Sequence, residues 1–374
     1  MKLSSVIPDY RDPLFSQAVI SWQKQHGRHS LPWQQTSDAY RVWLSEIMLQ
    51  QTQVAAVIPY YQRFLQRCPT VHDLAAAPSE DVMALWAGLG YYTRARNLHA
   101  CAKQVVARYQ GRFPSDPALL QELPGIGRST AAAVAAFSYG TVAAILDGNV
   151  KRVFARVFGI AEYPGKKSVE DDLWLRAQAL LPAQEIAAYT QGLMDLGATI
   201  CTRNQARCGE CPLQRRCVAY ANGRVAELPV RKPKKAPREK HAIMLLVQAG
   251  DEVLLEQRPN TGIWGGLLSL PELYGMREGM LPPSEQGLHP DPYLLERERA
   301  VQTWLAQFGE AEQIQSLPVW THVFTHFKLF AHVIHCRLAR KPHLVAQTSL
   351  NWVKLDQAAA LALPAPIKTL LSTF

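Results

Sequence analysis

The chain of 374 residues lacks any run of 18 uninterrupted apolar residues, so no candidate for a membrane-spanning helix is found. Its first residues, MKLSSVIPDYRD, lack an apolar core and carry Asp9 and Asp12. Neither a secretory signal nor an acid-poor transit peptide is therefore expected. Cysteine is scarce. Of seven, four crowd into Cys201–Cys217 while Cys68, Cys101 and Cys336 are scattered. That pattern argues against a disulfide scaffold and for a reducing compartment with one cysteine-ligated metal site. Acid is short of base, 31 residues against 40, and the net charge of +9 favours a polyanionic partner. With 48% apolar and 19% charged residues, disorder is excluded. No repeat of fixed period is present.

What is there divides into three stretches. Residues 1–222 read as helix after helix: 41–65, 79–90 (Ser79 a candidate N-cap), 97–111, 128–140, 168–181 and 185–200 carry apolar residues at helical spacing, several closing on glycine. Residues 223–240 form an expected linker; RKPKKAPREK at 231–240 holds six basic residues and two prolines, either a solvated spacer or a segment drawn to phosphate. Beyond it the period changes. Two strands are expected in 242–258 about a turn at 249–251, another strand over 322–336, and a helix over 294–309. The expected fold class is thus multidomain, an all-α domain followed by an α+β domain over 241–374.

The strongest chemical signal is Cys201-x6-Cys208-x2-Cys211-x5-Cys217. Four thiolates within 17 residues can surround one centre. Structural zinc usually takes two separated C-x2-C knuckles, and iron–sulfur clusters accept compressed loops, so an iron–sulfur cluster is favoured with zinc as the alternative. Arg203, Arg207, Arg215 and Arg216 would let that loop lie against phosphate. A second signal is Leu123-Pro124-Gly125-Ile126-Gly127-Arg128-Ser129, between helical segments. Two glycines two apart, Gly125 and Gly127, permit a hairpin whose bare N–H groups suit a DNA phosphate at a helix N-terminus. An ordinary helix–helix turn is the plainer reading.

The hairpin, the Asp147-Gly148 downstream of it and the cysteine loop together resemble the helix-hairpin-helix DNA glycosylases of the endonuclease III kind. Within that superfamily, Ser129 stands where lyase-active enzymes carry lysine, and a serine hydroxyl cannot form a Schiff base. Serine there resembles the MutY-type adenine DNA glycosylases. WLSEIMLQQTQV over 43–54 resembles their catalytic-glutamate helix, and GLGYYTRARNL over 88–98 is a third match.

The resemblance implies a 4Fe-4S cluster on Cys201, Cys208, Cys211 and Cys217. It implies Glu46 as the acid that protonates adenine and activates water, and Asp147 as the carboxylate that supports or captures the sugar cation. Asn149 and Ser129 would position sugar or water. Gln50 and Tyr91 would wedge into the duplex as adenine flips out, and Arg28, Leu31, Trp33, Leu49, Val54 and Gln191 would line its pocket. Lys151, Arg152 and Arg156 are expected to meet phosphate. Chemically, Glu46 on a mostly apolar helix face suits a raised pKa and general-acid work; Trp33 and Tyr91 serve equally well as core aromatics.

Residues 241–374 resemble a MutT-like, Nudix-fold domain through Gln257-Arg258-Pro259 and Gly262-Ile263-Trp264-Gly265-Gly266-Leu267. The glutamate-rich helix R-E-x-x-E-E that would hold magnesium is missing after Pro271, so pyrophosphate hydrolysis is not expected. In the family this domain recognises 8-oxoguanine through a Phe-Ser-His loop, which reads Phe324-Thr325-His326 here. The expectation is a monomeric, bacterial cytoplasmic, monofunctional adenine glycosylase of base excision repair, bound to double-stranded DNA with A·8-oxoguanine or A·G mispairs. The alternatives are an endonuclease III-like pyrimidine glycosylase/lyase and a non-catalytic iron–sulfur DNA-binding protein.

Overall fold

The computed structural model describes residues 10–232, 238–259, 261–273, 294–324, 327–342, 349–358 and 361–374. They fall into two compact units, one within 1–77 and 96–234, the other within 78–95 and 235–374. No described helix is long and apolar enough to cross a membrane.

The first unit begins with α1 (Pro13–His26), whose first turn is fixed by proline and by the Asp12 carboxylate accepting the Phe15 N–H at 3.2 Å. Then come α2 (Ala39–Leu49), α3 (Val54–Arg67) and α4 (Val71–Ala76), the last started by a Thr70–Asp73 capping box. The expected continuous helix over 41–65 is therefore two. Gln51 takes φ +58° and breaks it, a left-handed residue that neither glycine nor proline announces. α5 (Ser79–Trp86) and the first residues of α6 (Thr93–Tyr109) fall within 78–95 and count with the second unit; the first unit resumes in α6 at Arg96 and continues with α7 (Pro117–Gln121) and α8 (Arg128–Tyr139). Ala131–Ala136 of α8 are all buried, small enough for α2 to pack closely on it. Next are α9 (Gly148–Val157), α10 (Lys167–Ala179) and α11 (Ile186–Asp195). α11 runs into one π turn, Leu196–Ile200, that delivers Cys201. The core gathers Phe15, Val19 and Trp22 of α1, Val150 and Phe154 of α9, and Leu193 of α11.

A short α12 (Val218–Ala221) follows the cysteines. The expected linker is narrower than 223–240. Leu228 is 2% exposed and its carbonyl accepts from the buried Arg156 Nε at 2.8 Å, and β1 already begins at Arg238.

In the second unit β1 (Arg238–Ala249) and β2 (Glu252–Gln257) form the expected hairpin, with Gly250 at φ +61°. Further elements are β3 (Leu268–Ser269), α13 (Leu294–Leu305), β4 (Ala311–Ser316), β5 (Trp320–Val323), β6 (Phe327–Leu338), β7 (Leu350–Lys354), α14 (Leu355–Ala358) and α15 (Ala365–Leu371). The sheet runs β3-β2-β1-β6-β4, with β5 on β6, β7 on β2, and β1 and β6 parallel. The single strand expected over 322–336 is instead an antiparallel pair, β5 and β6, joined by a hydrogen bond from Phe324 N–H to the Phe327 carbonyl at 2.9 Å.

Candidate active site

α2 is buried on most of its circumference, by Trp43, Leu44, Ile47 and Met48 among others, which forces the Glu46 carboxyl into a largely apolar setting. Glu46 opens on a cavity of about 300 Å³ that Arg28, Trp33, Gln34 and Gln191 also line. Loss of hydration, reinforced by the charge of Asp147, pushes its pKa up to about 8. Asp147 caps α9, its Oδ1 accepting the Val150 N–H at 2.8 Å. Burial raises its pKa as well, but here the N–H groups of Val150 and Asn149 and the charges of Arg152 and Lys151 pull the other way. An aspartate before glycine is usually a helix cap, and this one is a cap and a neighbour of Glu46 at once.

Ser129 Oγ accepts the Leu146 N–H at 3.1 Å, tying the start of α8 to the strand-like approach to Asp147. Asn149 Oδ1 accepts from Arg152 at 2.8 Å. Arg152 also donates to the carbonyls of Cys201 (2.7 Å) and Gly197 (2.6 Å). Arg156, 2% exposed, donates to the carbonyls of Leu228, Thr202 and Arg203 and to Cys201 Sγ at 3.3 Å. Both arginines turn inward, in place of the phosphate contacts expected of them, and satisfy helix-terminal and loop carbonyls. Lys151 is paired with Glu170 at 2.6 Å.

The hairpin glycines differ. Gly125 has φ +78°, and a Cβ there would lie 2.9 Å from Asn97 Cβ; at Gly127 it would meet nothing. The first glycine serves the turn and the second leaves its surface open. Gln50 donates to Thr130 Oγ1 at 3.3 Å. Tyr91 has φ +50°, is 48% exposed and has the Arg94 guanidinium carbon 5.4 Å from its ring centroid. Trp33 is buried, edge-on to Tyr61 at 5.4 Å. Leu31, Leu49 and Val54 are half-buried and lie outside the lining of the Glu46 cavity.

The sequence reading missed Asp195. It is wholly buried and accepts from Arg28 and Gln191 together. A carboxylate four residues after a glutamine on a helix is too ordinary a pattern to single out.

Cys201, Cys208, Cys211 and Cys217 open on one small cavity, of about 20 Å³, with Val153, Arg156, Val157 and Ile200. In the second unit Gln257 Nε2 and Arg258 Nε donate to the carbonyls of Gly266 (3.1 Å) and Ile263 (2.9 Å), which holds the loop carrying Trp264. Phe324 stacks on Phe327 at 4.5 Å and lies 5.7 Å from Trp264. Thr325 and His326 lie outside the described residues.

Comparison with known proteins decides what this assembly belongs to. Residues 44–178 match the model of the HhH-GPD superfamily base excision DNA repair proteins, and residues 242–373 match the NUDIX domain. The chain is 32% identical over 362 residues to the adenine DNA glycosylase of Buchnera aphidicola subsp. Baizongia pistaciae (strain Bp), covering 96% of both. This chain belongs to the adenine DNA glycosylase family. The Mus musculus adenine DNA glycosylase is 35% identical over 406 residues, covering 95% of this chain and 76% of its own. Among solved structures, a thermostable thymine-DNA glycosylase is similar with a TM-score of 0.50 at 29% identity, over 56% of this chain and 96% of that one. The glycosylase is a base excision repair enzyme with a helical HhH-GPD domain and a Nudix-like C-terminal domain. Glu46, Gln50, Ser129, Asp147 and Asn149 fall inside the HhH-GPD match; Arg28, Gln191 and the cysteine loop fall outside it.

Proposed function

We propose that this glycosylase removes adenine mispaired with 8-oxoguanine or guanine by flipping it out of the duplex, without cutting the strand itself. The observation that carries the reading is the convergence of Glu46, Arg28, Trp33 and Gln191 on one cavity, with the Glu46 pKa near 8 beside Asp147. At neutral pH the pair holds a proton on Glu46, because Asp147 has the N–H donors and cations that favour its charge. Protonated Glu46 gives its proton to adenine N7, which turns the base into a leaving group. Ionised Asp147 faces the cationic sugar that results, either as electrostatic support or as a covalent partner. Glu46, now a carboxylate, takes a proton from the attacking water. Asn149 and Ser129 keep Asp147 in place, through the bonds at Arg152 and Leu146.

Gln50 and Tyr91 are the wedge beside the opposing base, and the hairpin at Gly125 and Gly127 takes the backbone phosphate. Arg28, Trp33 and Gln191 form the base pocket, with Leu31, Leu49 and Val54 at its approach. Phe324, Thr325 and His326 read 8-oxoguanine opposite. The enzyme acts as a monomer in a bacterial cytoplasm.

A 4Fe-4S cluster fits the cysteine loop. Four sulfurs share one small apolar cavity with no histidine in its lining, and the Arg156 N–H at Cys201 Sγ supports a thiolate ligand. A single zinc would need sulfurs about 3.8 Å apart, from bonds of about 2.3 Å. Among the described residues no three ligand side chains are placed to hold one metal ion. When bound, the cluster cross-links the loop on Cys201, Cys208, Cys211 and Cys217 to the end of the π turn. Measured iron of about four atoms per chain, and none of zinc, is the expected result.

The decisive assay uses duplexes carrying adenine opposite 8-oxoguanine, adenine opposite thymine, and an oxidised pyrimidine. Breaks that appear only after hot alkali, and only from the 8-oxoguanine duplex, are expected. Breaks without alkali at the oxidised pyrimidine would overturn the reading in favour of a pyrimidine glycosylase/lyase.

A further inference from the structure

The wall of the Glu46 cavity opposite α2 rests on a single buried carboxylate. Asp195, the last residue of α11, is 0% exposed. Its Oδ2 accepts the Arg28 backbone N–H at 2.8 Å. Its Oδ1 accepts Arg28 Nε at 2.7 Å, Arg28 Nη2 at 2.7 Å and Gln191 Nε2 at 2.8 Å. Gly27 makes the approach possible, since a Cβ there would lie 3.1 Å from Asp195 Oδ2 and 2.5 Å from the Gln23 carbonyl.

The consequence is chemical. A carboxylate accepts and never donates, so it dictates the orientation of the Gln191 amide: the NH2 end faces Asp195 and Oε1 is left for the cavity. Arg28 likewise spends its Nε–H and one Nη2–H on Asp195 and keeps its remaining N–H groups for anything else. The cavity wall thereby presents an acceptor from Gln191 and a donor from Arg28. A 6-aminopurine offers an N–H2 to that acceptor. A 6-oxopurine offers a carbonyl oxygen instead, and two acceptors facing each other in a desolvated site cost what an unpaired polar group costs.

We propose that Asp195 is a positioning residue that sets specificity for adenine over 6-oxopurines, by fixing Gln191 with its carbonyl toward the base and by fixing the Arg28 guanidinium beside it. The proposal rests on adenine entering this cavity.

The test compares single-turnover excision of adenine and of hypoxanthine from otherwise identical duplexes opposite 8-oxoguanine. Asp195→Asn keeps the shape but adds a donor, so the Gln191 amide is free to reverse. The adenine-to-hypoxanthine rate ratio is expected to fall about tenfold or more. A purely structural role would slow both bases equally and leave the ratio unchanged, and that result overturns the proposal. Gln191→Met removes the acceptor without touching Asp195, and serves if Asp195→Asn does not fold. It should slow adenine release about tenfold and speed hypoxanthine release, because the acceptor facing the 6-oxo group is gone. If Gln191→Met leaves both rates at their parental values, the base does not occupy this cavity and the site reading itself fails. If Gln191→Met loses discrimination but folded Asp195→Asn keeps it, only the role of Asp195 falls.

Discussion

Arg152 donates to the carbonyl oxygen of Cys201 at 2.7 Å, so the helix that Asp147 caps is bonded directly to the first residue of the cysteine loop. The same guanidinium holds Asn149 and the Gly197 carbonyl. Replacing it with glutamine leaves at least one buried carbonyl unpaired. We expect a loss of about 1–3 kcal/mol, seen as a drop in Tm of about 2–4 °C per kcal/mol, together with slower base excision. Unchanged stability and rate in Arg152→Gln would show that the bonds are replaceable by water.

The raised pKa of Glu46 fixes the direction of two pH effects. Excision requires the protonated carboxyl, so the single-turnover rate should be highest below about 8 and fall as pH rises through that value. Stability follows the same sign. A carboxyl whose folded pKa lies above its unfolded one contributes stability that is complete below the unfolded pKa, near the ordinary value of 4.5, and is lost as pH rises toward about 8. Glu46→Gln should therefore be inactive, yet gain Tm over the parent at pH 9 and show a smaller gain at pH 5. An equal difference at both pH values would contradict a raised pKa.

The two hairpin glycines should separate folding from binding. Gly125→Ala meets both a left-handed backbone and Asn97, and is expected to cost about 2 kcal/mol in a denaturant titration. Gly127→Ala meets nothing and should unfold at the parental midpoint while binding duplex DNA more weakly. Parental affinity in Gly127→Ala would remove this hairpin from the phosphate contact.

Phe324 can be tested without disturbing the helical unit. Phe324→Ala strips a ring that stacks on Phe327 and borders Trp264. We expect excision opposite 8-oxoguanine to fall toward the rate opposite guanine, with the guanine rate itself nearly unchanged. Equal losses on both duplexes would assign Phe324 to the core of its domain alone.

The parts of the site legible in the sequence were those fixed by local grammar: a glycine hairpin before a small-residue helix, an aspartate before glycine, cysteines at short spacing, a glutamate on an apolar helix. What escaped depended on partners far along the chain. Nothing local tells a reader that Arg152 and Arg156 point inward to carbonyls at 197–203 and 228, since a basic residue one turn into a helix is as often solvated. Asp195 escaped for the same reason, its partner Arg28 lying 167 residues away. Among elements, the break at Gln51 and the division of 322–336 into two strands were hidden because neither site carries glycine or proline.

Asp147 gives one oxygen to the Val150 N–H. Its carboxyl thus belongs at once to the start of α9 and to the site beside Glu46. In the proposed reaction, the way this helix is begun therefore also sets the direction from which its carboxylate faces the sugar.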